Sequence, residues 1–521
     1  MRSKPSRWAN NPWLVFGTAV VEGGSALLVE IAGTRALSPF FGTSIHVWTA
    51  QITMTLLFLA LGYAVGGWLS RRWRPWYLPL LFGTAGLWLC LAPLLRAPLL
   101  ESLAAALGVA GGAFLAASVL FGLPLFCFGA ISPVLIQHWD HRRPGAGGAA
   151  GLVYFVNTMG GLAAAWLTTL VLLPRLPLAI ILGGCGLLLI TVGLVWIILF
   201  GLRLRTLALV ILLAGLALLG LAPTPVTSGY VGEAKATLLL NQPTPLGLVQ
   251  VVDIPANFSR TLLIDGITQG GIDTRSGHSS VAFSEFLNVA AFRYHPGAHR
   301  ALLLGLGSGA LARQLAARGL EVTVIELEPV IVKAAREYFG LPDAVKVVLG
   351  DGRTALATVG ADFDLVFLDA FAGENVPWHL FTREGLTAIR AKLATDGRLL
   401  VNLVTKVGGS PGLARVESGL VALFPEVRVH VQPQSTSPAG LVSATLVAGQ
   451  GLQMSQAIFP GQVMPEFEPK IVALLGNGRV GLATTPVTTD TWSDLDYADA
   501  DLRLEWRKQA VSSGDARALT F

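Results

Sequence analysis

The segment Ala301–Glu328, ALLLGLGSGALARQLAARGLEVTVIELE, decides the fold of the second half of the chain. Its apolar start, ALLL, is followed by a loop with glycines at Gly305, Gly307 and Gly309. A helix-patterned segment then leads to a second apolar run that ends at Glu326. This order is typical of the first half of a nucleotide-binding α/β sheet, in which glycines let the backbone approach a ligand and the acid can bind ribose hydroxyls. In this context the pattern favours a ribose-bearing ligand over a merely tight turn.

The composition of the whole chain indicates a membrane part joined to a soluble part. Of the 521 residues, 53% are hydrophobic and only 13% are charged, which is far from the average for soluble proteins. Long apolar runs fill Trp13 to Ala222, whereas the remainder has the composition of an ordinary soluble domain. The net charge of +5 comes largely from short loops such as Arg71–Arg74. These basic loops therefore indicate how the chain is oriented in the membrane and do not indicate a nucleic-acid-binding surface. No nucleic-acid partner is predicted.

The cysteines support neither a disulfide framework nor a metal centre. Cys90, Cys127 and Cys185 all lie in apolar segments, and none has C-x-x-C spacing. No metal ligand is therefore predicted.

Seven segments are long and apolar enough to cross a bilayer, which takes about 20 residues. They are Trp13–Leu37, Val47–Leu69, Tyr77–Leu95, Ala113–Gln137, Gly151–Leu173, Leu178–Phe200 and Thr206–Ala222. The stretch Ala97–Gly112 fits either an interfacial helix or part of an eighth span. These segments predict a multi-pass protein of the cell (inner) membrane, with the lipid bilayer as its partner.

The basic residues leave the side of the soluble domain open. With seven spans, the clusters around Arg2, Arg71, Arg142 and Arg203 all fall on one side, which the positive-inside rule assigns to the cytoplasm. The soluble domain would then lie outside, where nucleotide-like cofactors are scarce. An eighth span would bring it inside.

Two acids lie within the first predicted span. Glu22 and Glu30 are followed by Arg35 at the end of the span. A charge at mid-bilayer costs about 2.5–3.5 kcal/mol on insertion scales, so these side chains should face a protein interior. Two interpretations stay open: a polar pocket for a cationic ligand, or a structural pairing of Glu30 with Arg35.

The soluble half divides into a small β segment and an α/β domain. Short β-patterned runs follow the turn-rich stretch PTPVTSG and predict a small antiparallel sheet. Strands and helices then alternate, which predicts a parallel, doubly wound sheet with its site at the C-terminal strand ends and a late hairpin that closes it. The predicted domains are residues 1–222 in the membrane, 223–275 as linker and small β domain, 276–450 as the nucleoside-cofactor domain, and 451–521 as a C-terminal extension.

Three acids end successive strands of the predicted sheet. Glu326, Asp351 and Asp369 follow the second, third and fourth strands, so they should meet at one sheet edge beside the glycine loop. Asp351 could instead simply cap the helix that begins after it. Asp369 emerges from the apolar run LVFL, and burial near another acid would raise its pKa into the range of a general base.

At these residues the chain resembles the spermidine synthase (aminopropyltransferase) family. The matching segments are LLIDGITQ, LGLGSGA, VIELE and GDG, and the chain as a whole resembles bacterial proteins in which a membrane domain is fused to a spermidine-synthase-like domain. The resemblance implies an α-helical polytopic membrane domain of about seven spans, a small antiparallel β segment, and a doubly wound, methyltransferase-like Rossmann domain. It also implies a transferase, with a small-molecule amine as substrate and a possible homodimer.

The resemblance assigns roles residue by residue. It implies that Glu326 binds ribose, that Asp351 reads the adenine amine, and that Asp369 is the base that deprotonates the attacking amine. It places the cofactor against the glycine loop and Gly352. The implied ligand is decarboxylated S-adenosylmethionine, whose sulfonium activates the aminopropyl group. The positions implied for substrate binding are Gln269, Glu285 and Ser308.

The chain departs from the family at three positions on the amine side. Ser308 stands where the glycine loop usually has an aspartate, and Ala372 stands where the catalytic segment usually has a second acid. Phe283 replaces a tyrosine ahead of the helix glutamate. Nucleoside binding is therefore better supported than binding of a diamine.

Three hypotheses follow. The first is a membrane-tethered aminopropyltransferase with Asp369 as base. The second is an S-adenosylmethionine-dependent methyltransferase, which the loss of the diamine acids favours. The third is a transporter or sensor whose soluble domain binds a nucleoside or a polyamine without catalysis, which Glu22 and Glu30 motivate.

Overall fold

The structure is a computed structural model, and the chain forms two compact units that divide after residue 225. The described residues are 11–42, 45–140, 146–202, 205–220, 228–231, 234–371, 373–432, 440–455, 467–476 and 478–512.

The first unit consists of helices. They are α1 (Pro12–Phe41), α2 (Ile45–Arg71), α3 (Tyr77–Asp140), α4 (Ala146–Leu167), α5 (Leu173–Arg175), α6 (Leu178–Leu199) and α7 (Arg205–Gly220), with a π-helical turn, Thr168–Leu172, between α4 and α5.

Six stretches of these helices are long and apolar enough to cross a membrane, judged by length and composition. They are Pro12–Phe41, Val47–Arg71, Tyr77–Arg96, Gly111–Trp139, Ala150–Arg175 and Leu178–Leu199, and they coincide with the first six predicted spans. The seventh predicted span falls on α7, whose 16 helical residues are fewer than the roughly 20 that a perpendicular span needs. The observed set is therefore close to the predicted one.

Helix α3 contains two of these stretches, Tyr77–Arg96 and Gly111–Trp139, which lie against each other. The indole Nε1 of Trp88 donates to the carbonyl of Leu120, 32 residues later, at 2.9 Å. A straight α-helix would separate these residues by about 48 Å, so α3 doubles back on itself. The sequence leaves Ala97–Gly112 as either an interfacial helix or part of an eighth span. In the structure it is a helical connection between two candidate spans.

Small residues let the helices of this unit approach closely. A Cβ atom at Gly66 of α2 would lie 2.7 Å from the Cα atom of Ala130 in α3. Glu22 of α1 is buried, and its carboxylate accepts hydrogen bonds from Ser132 and from Asn157. The expectation that Glu22 faces a protein interior is confirmed.

The second unit begins with a five-stranded antiparallel sheet in sequential order. Its strands are β1 (Ser228–Val231), β2 (Ala234–Thr244), β3 (Gly247–Ile254), β4 (Ser259–Ile264) and β5 (Ile267–Asp273). The sequence predicts the middle three strands, whereas β1 and β5 are additional. Helix α8 (Ala282–Tyr294) leads from this sheet to the larger one.

The larger sheet has eight strands in the order β13-β11-β12-β10-β9-β6-β7-β8. They are β6 (Arg300–Leu304), β7 (Glu321–Glu326), β8 (Lys346–Leu349), β9 (Phe363–Leu368), β10 (Leu393–Lys406), β11 (Glu426–Val431), β12 (Leu441–Gly449) and β13 (Arg479–Val480). The helices are α9 (Ala310–Ala317), α10 (Pro329–Phe339), α11 (Gly352–Ala355), α12 (Arg383–Arg390), α13 (Pro411–Leu423), α14 (Glu468–Gly476), α15 (Leu495–Ala498) and α16 (Ala500–Ser512).

The strand order places a crevice at the middle of this sheet. From the middle of the sheet, β6, β7 and β8 follow one another on one side, and β9 and β10 follow one another on the other. All five strands are parallel. Strand order reverses between β6 and β9, and ligands bind at such points outside the C-terminal strand ends. The antiparallel pair β11 and β12 extends the sheet beyond β10, as the sequence predicts.

Alternating side chains of the central strands build an apolar core on each face of the sheet. Leu303 and Phe367 belong to one buried cluster, whereas Leu302, Val366 and Leu368 belong to the other. This period-two burial explains why the strands are continuous apolar runs in the sequence, because both faces are covered. The doubly wound fold is confirmed.

Candidate functional site

A cavity of about 610 Å³ lies at the C-terminal ends of the central strands. It is lined by every predicted site residue except Gly309 and Glu285: Gly305, Gly307, Glu326, Asp351, Gly352, Asp369, Gln269 and Ser308. Residues that are far apart in sequence therefore meet around one space large enough for a small-molecule ligand.

The glycine loop needs its glycines for conformation and for space. Gly305, Gly307 and Gly309 have φ values of +97°, +53° and +77°, which side chains rarely adopt. A Cβ atom at Gly305 would collide with the carbonyl oxygen of Asp369, and one at Gly307 would lie 2.8 Å from the carbonyl oxygen of Gln269. Gly309 instead precedes the first residue of α9, so it shapes the start of that helix without lining the cavity.

Glu326 ends β7 and is held by the backbone around it. Its Oε2 accepts from the N–H of Leu306 at 2.9 Å, and its Oε1 accepts from the N–H of Glu328 at 2.8 Å. Burial raises the pKa of this carboxyl group, and the backbone hydrogen bonds oppose that rise. Each carboxylate oxygen retains a second lone pair, so the fixed carboxylate can still accept from two ligand hydroxyls.

Asp351 both caps a helix and holds a histidine. Its Oδ1 accepts from the N–H groups of Arg353 and Thr354 at 3.1 Å, and its Oδ2 lies 2.8 Å from Nε2 of His379. Burial alone would raise its pKa, but the bonds from Thr354, His379 and Arg353 outweigh burial and hold the pKa below the usual value. The capping interpretation is thus correct, and Asp351 nevertheless lines the cavity.

Asp369 follows β9 and has one amide partner. The Nδ2 of Asn402, in the neighbouring strand β10, donates to Oδ1 of Asp369 at 2.9 Å. Enclosure by protein raises the pKa of this half-buried carboxyl group to about 6, and the bond from Asn402 opposes the rise. A carboxylate with a pKa near neutrality on a cavity wall is suited to proton abstraction.

Gln269 and Ser308 hold neighbouring backbone in place. The Nε2 of Gln269 donates to the carbonyl of Gly373 at 3.1 Å, in the loop that follows Asp369. Ser308 packs so closely on Gly270 that a Cβ atom there would lie 2.7 Å from the serine Oγ. Both residues line the cavity and support its walls.

Glu285 does not lie where the resemblance implies. Its side chain is fully buried and does not line the cavity. The carboxylate accepts from the N–H of Ser279 at 2.7 Å and from Nε2 of Gln314 at 2.5 Å, and it therefore ties α8 to α9. The placement of this residue at the substrate needs correction, because α8 turns Phe283 and Ser284 toward the cavity and Glu285 away from it.

The C-terminal helix α16 adds a wall that the sequence does not predict. Trp506 and Gln509 line the cavity, and Trp506 packs against Phe371 with ring centroids 6.2 Å apart. Between them Arg507, 1% exposed, pairs with Glu374, 2% exposed, in the loop after β9. Arg507 also donates to the carbonyl of Asp265. The C-terminal extension is therefore part of the site.

The chain is similar in sequence to known transferases. A family profile described as "Methyltransferase domain" matches residues 302–400. The chain is 32% identical over 123 residues to the polyamine aminopropyltransferase of Vibrio vulnificus, covering 22% of this chain and 41% of that protein. It is 26% identical over 216 residues to the polyamine aminopropyltransferase of Moorella thermoacetica, covering 40% of this chain and 74% of that protein. The chain therefore contains a spermidine-synthase-like domain.

A methyltransferase is also among the similar proteins. An N-terminal histidine N-methyltransferase of Emericella nidulans is 26% identical over 200 residues, covering 34% of this chain and 36% of that protein. The chain thus spans well under half the length of two of these three relatives. Among solved structures, a probable spermidine synthase from Corynebacterium glutamicum covers 52% of this chain and 99% of its own, with a TM-score of 0.39 and 19% identity.

Proposed function

We propose that the second unit transfers an aminopropyl group from decarboxylated S-adenosylmethionine to an amine. The observation that carries the proposal is the Asp369 carboxylate on the cavity wall, held by Asn402 at 2.9 Å and beside the glycine loop. Relatives named as polyamine aminopropyltransferases, which match 22% and 40% of this chain, support the same reaction.

The described lining residues fit an adenosyl sulfonium ligand. Glu326 would accept from the ribose hydroxyls, Asp351 would accept from the adenine amine, and apolar side chains such as Ile331 and Leu380 would cover the base. The carboxylates among the described lining residues are these two and Asp369, and the same set contains neither lysine nor arginine. The cavity is therefore electrostatically suited to a cationic ligand.

Asp369 would remove the proton that the amine must lose. When bound, the sulfonium makes the adjoining propyl carbon electrophilic, so attack by the amine forms an N–C bond, breaks the S–C bond and leaves methylthioadenosine. Asp369 accepts the proton from nitrogen, and the hydrogen bond from Asn402 fixes the orientation of the accepting carboxylate. The rest of the rate enhancement would come from positioning the two reactants in line.

The six apolar stretches support a membrane location. We propose that they anchor the second unit to a membrane, the inner one in a bacterium, as a multi-pass protein. Retention of the protein in the membrane pellet after alkaline carbonate washing is expected, whereas release into the supernatant would contradict it.

The reaction is tested with the full chain purified in detergent. Decarboxylated S-adenosylmethionine and a panel of amines should release methylthioadenosine, and the Asp369→Asn variant should lower kcat by about 10²–10⁴-fold while it still binds methylthioadenosine. Folded wild-type protein that binds methylthioadenosine but gives no product with any amine would overturn the proposal.

Methyl transfer is the second candidate, and the match to a methyltransferase-domain profile favours it. Calorimetry separates the two reactions, because a methyltransferase has to bind the carboxylated cofactor. Tighter binding of S-adenosylmethionine than of its decarboxylated form, together with release of S-adenosylhomocysteine, would replace aminopropyl transfer by methyl transfer.

A further inference from the structure

The cavity has two halves with Asp369 between them. Glu326 ends β7 and Asp351 follows β8, on one side of the central strands. The opposite half is formed by the ends of β10 and β12, which contribute Val404 and Ser443, and by helix α16. If the nucleoside binds beside the two acids, the acceptor has to enter from the β10–β12 side.

The acceptor half lacks an acid among the described residues that line it. The described lining carboxylates are Glu326, Asp351 and Asp369, and the first two belong to the nucleoside half. Among the described residues, Asp369 is therefore the carboxylate that the amine meets, and it is needed for the proton.

One acid close to Asp369 in the sequence, Glu374, is neutralised by helix α16. Glu374 lies five residues after Asp369 but does not line the cavity, because its side chain turns into the protein and pairs with Arg507. Both side chains are almost completely buried. A carboxylate paired in this way contributes little negative potential to the cavity.

Aromatic and neutral polar groups take the place of acids. The Trp506 ring meets the Phe371 ring edge-on, with an interplanar angle of 82°. Gln509 lies three residues after Trp506, hence on the same face of α16, and both line the cavity with Val376. An apolar part of the acceptor can be buried against these two rings. The polar group on this surface, a side-chain amide, carries no charge.

We infer that the acceptor has one basic nitrogen and an uncharged, largely apolar remainder, and is neither a diamine nor a polyamine. The inference rests on the proposed transfer reaction. A diamine would bring a second ammonium group into the acceptor half, where it would lose water without gaining a carboxylate. An alkyl or aryl group of similar length would instead bury apolar surface against Trp506 and Phe371.

Pairs of amines matched in length test the inference on the full chain. n-Butylamine and 2-phenylethylamine should each give a kcat/KM at least ten-fold higher than 1,4-diaminobutane, measured as release of methylthioadenosine. A preference for the diamine would overturn the inference but would leave the transfer reaction standing. Absence of product with all three amines would overturn the reaction itself.

One substitution on α16 tests where the acceptor binds. Gln509→Glu adds a carboxylate to the acceptor half and should raise the diamine-to-monoamine ratio of kcat/KM about ten-fold. Lys508→Gln is the matched control, because it makes the same change in net charge at the adjoining exposed position, and it should leave the ratio unchanged. If both variants have the wild-type ratio, or if Lys508→Gln shifts it equally, α16 does not border the acceptor and the inference is wrong.

Discussion

The side-chain amide of Asn402 donates to the carboxylate of Asp369 at 2.9 Å, across two adjacent parallel strands. Val401 pairs with Leu368 in the strand register, so the next residue of each strand emerges at the same level of the cavity wall. The base is therefore oriented by the sheet itself. An amide donor also favours the charged form of the carboxylate, in opposition to its burial.

This pair predicts the pH dependence of the reaction. Asp369 has to be ionised to accept a proton, so kcat/KM, which reports the ligand-free enzyme, should rise with pH through a midpoint near 6, the pKa to which burial raises this group. Asn402→Leu removes the bond that lowers the pKa, so the midpoint should move to higher pH. The acidic limb of the kcat/KM profile for decarboxylated S-adenosylmethionine measures both values. An Asn402→Leu profile that overlays the wild-type profile would show that the limb belongs to another group.

The glycine loop makes a second prediction, which separates steric conflict from conformational strain. Gly305 and Gly319 both have positive φ, +97° and +88°, but a Cβ atom would meet Asp369 only at Gly305 and would find open space at Gly319. Gly319→Ala should cost about 1–2 kcal/mol of stability and leave the affinity for methylthioadenosine intact. Gly305→Ala should displace the Asp369 backbone and weaken that affinity at least ten-fold.

Calorimetric titration of both full-length variants with methylthioadenosine measures the difference. Equal losses of affinity would mean that φ strain alone accounts for the glycines, and that the contact between the loop and Asp369 has no part in binding.

The sequence predicts those parts of the site that depend on local chain order. Gly305 and Asp369 directly follow buried apolar strands, Glu326 ends another, and parallel strands bring their C-terminal ends to one edge. The same logic predicts the sheet and its closing hairpin. These features need only the position of a residue relative to its own strand.

The remaining parts of the site depend on contacts that have no local signal. His379 reaches Asp351 from 28 residues away, and Arg507 reaches Glu374 from 133 residues away. The direction in which a helix turns also matters, since Glu285 faces α9 while Phe283 faces the cavity. Neither the partner of a charged residue nor the rotation of a helix follows from spacing in a single sequence.

His379 leads to a third prediction, for nucleoside binding. The His379 ring holds Oδ2 of Asp351 at 2.8 Å, so its removal should free the carboxylate to rotate and raise its pKa. His379→Ala should weaken the binding of methylthioadenosine about ten-fold. The exposed His299, whose described hydrogen bonds use only its backbone N–H and carbonyl groups, provides the control His299→Ala. If His379→Ala binds methylthioadenosine as tightly as the wild type does, His379 does not contribute to nucleoside binding and only stabilises the loop in which it lies.

The Glu374–Arg507 pair predicts how firmly α16 is attached to the second unit. Both side chains are almost fully buried, so Glu374→Gln would leave a buried guanidinium without its counter-ion, at a cost of about 3–5 kcal/mol. Glu505→Gln breaks a pair on the same helix, with Lys508, in which the side chains are 38% and 43% exposed. An exposed pair contributes only about 0–1 kcal/mol.

Hydrogen–deuterium exchange of the full chain in detergent should therefore show at least 100-fold faster exchange across α16 in Glu374→Gln, and less than ten-fold faster exchange in Glu505→Gln. Equal protection in the two variants would mean that the buried pair does not hold the helix, and that packing of Trp506 on Phe371 is what retains it.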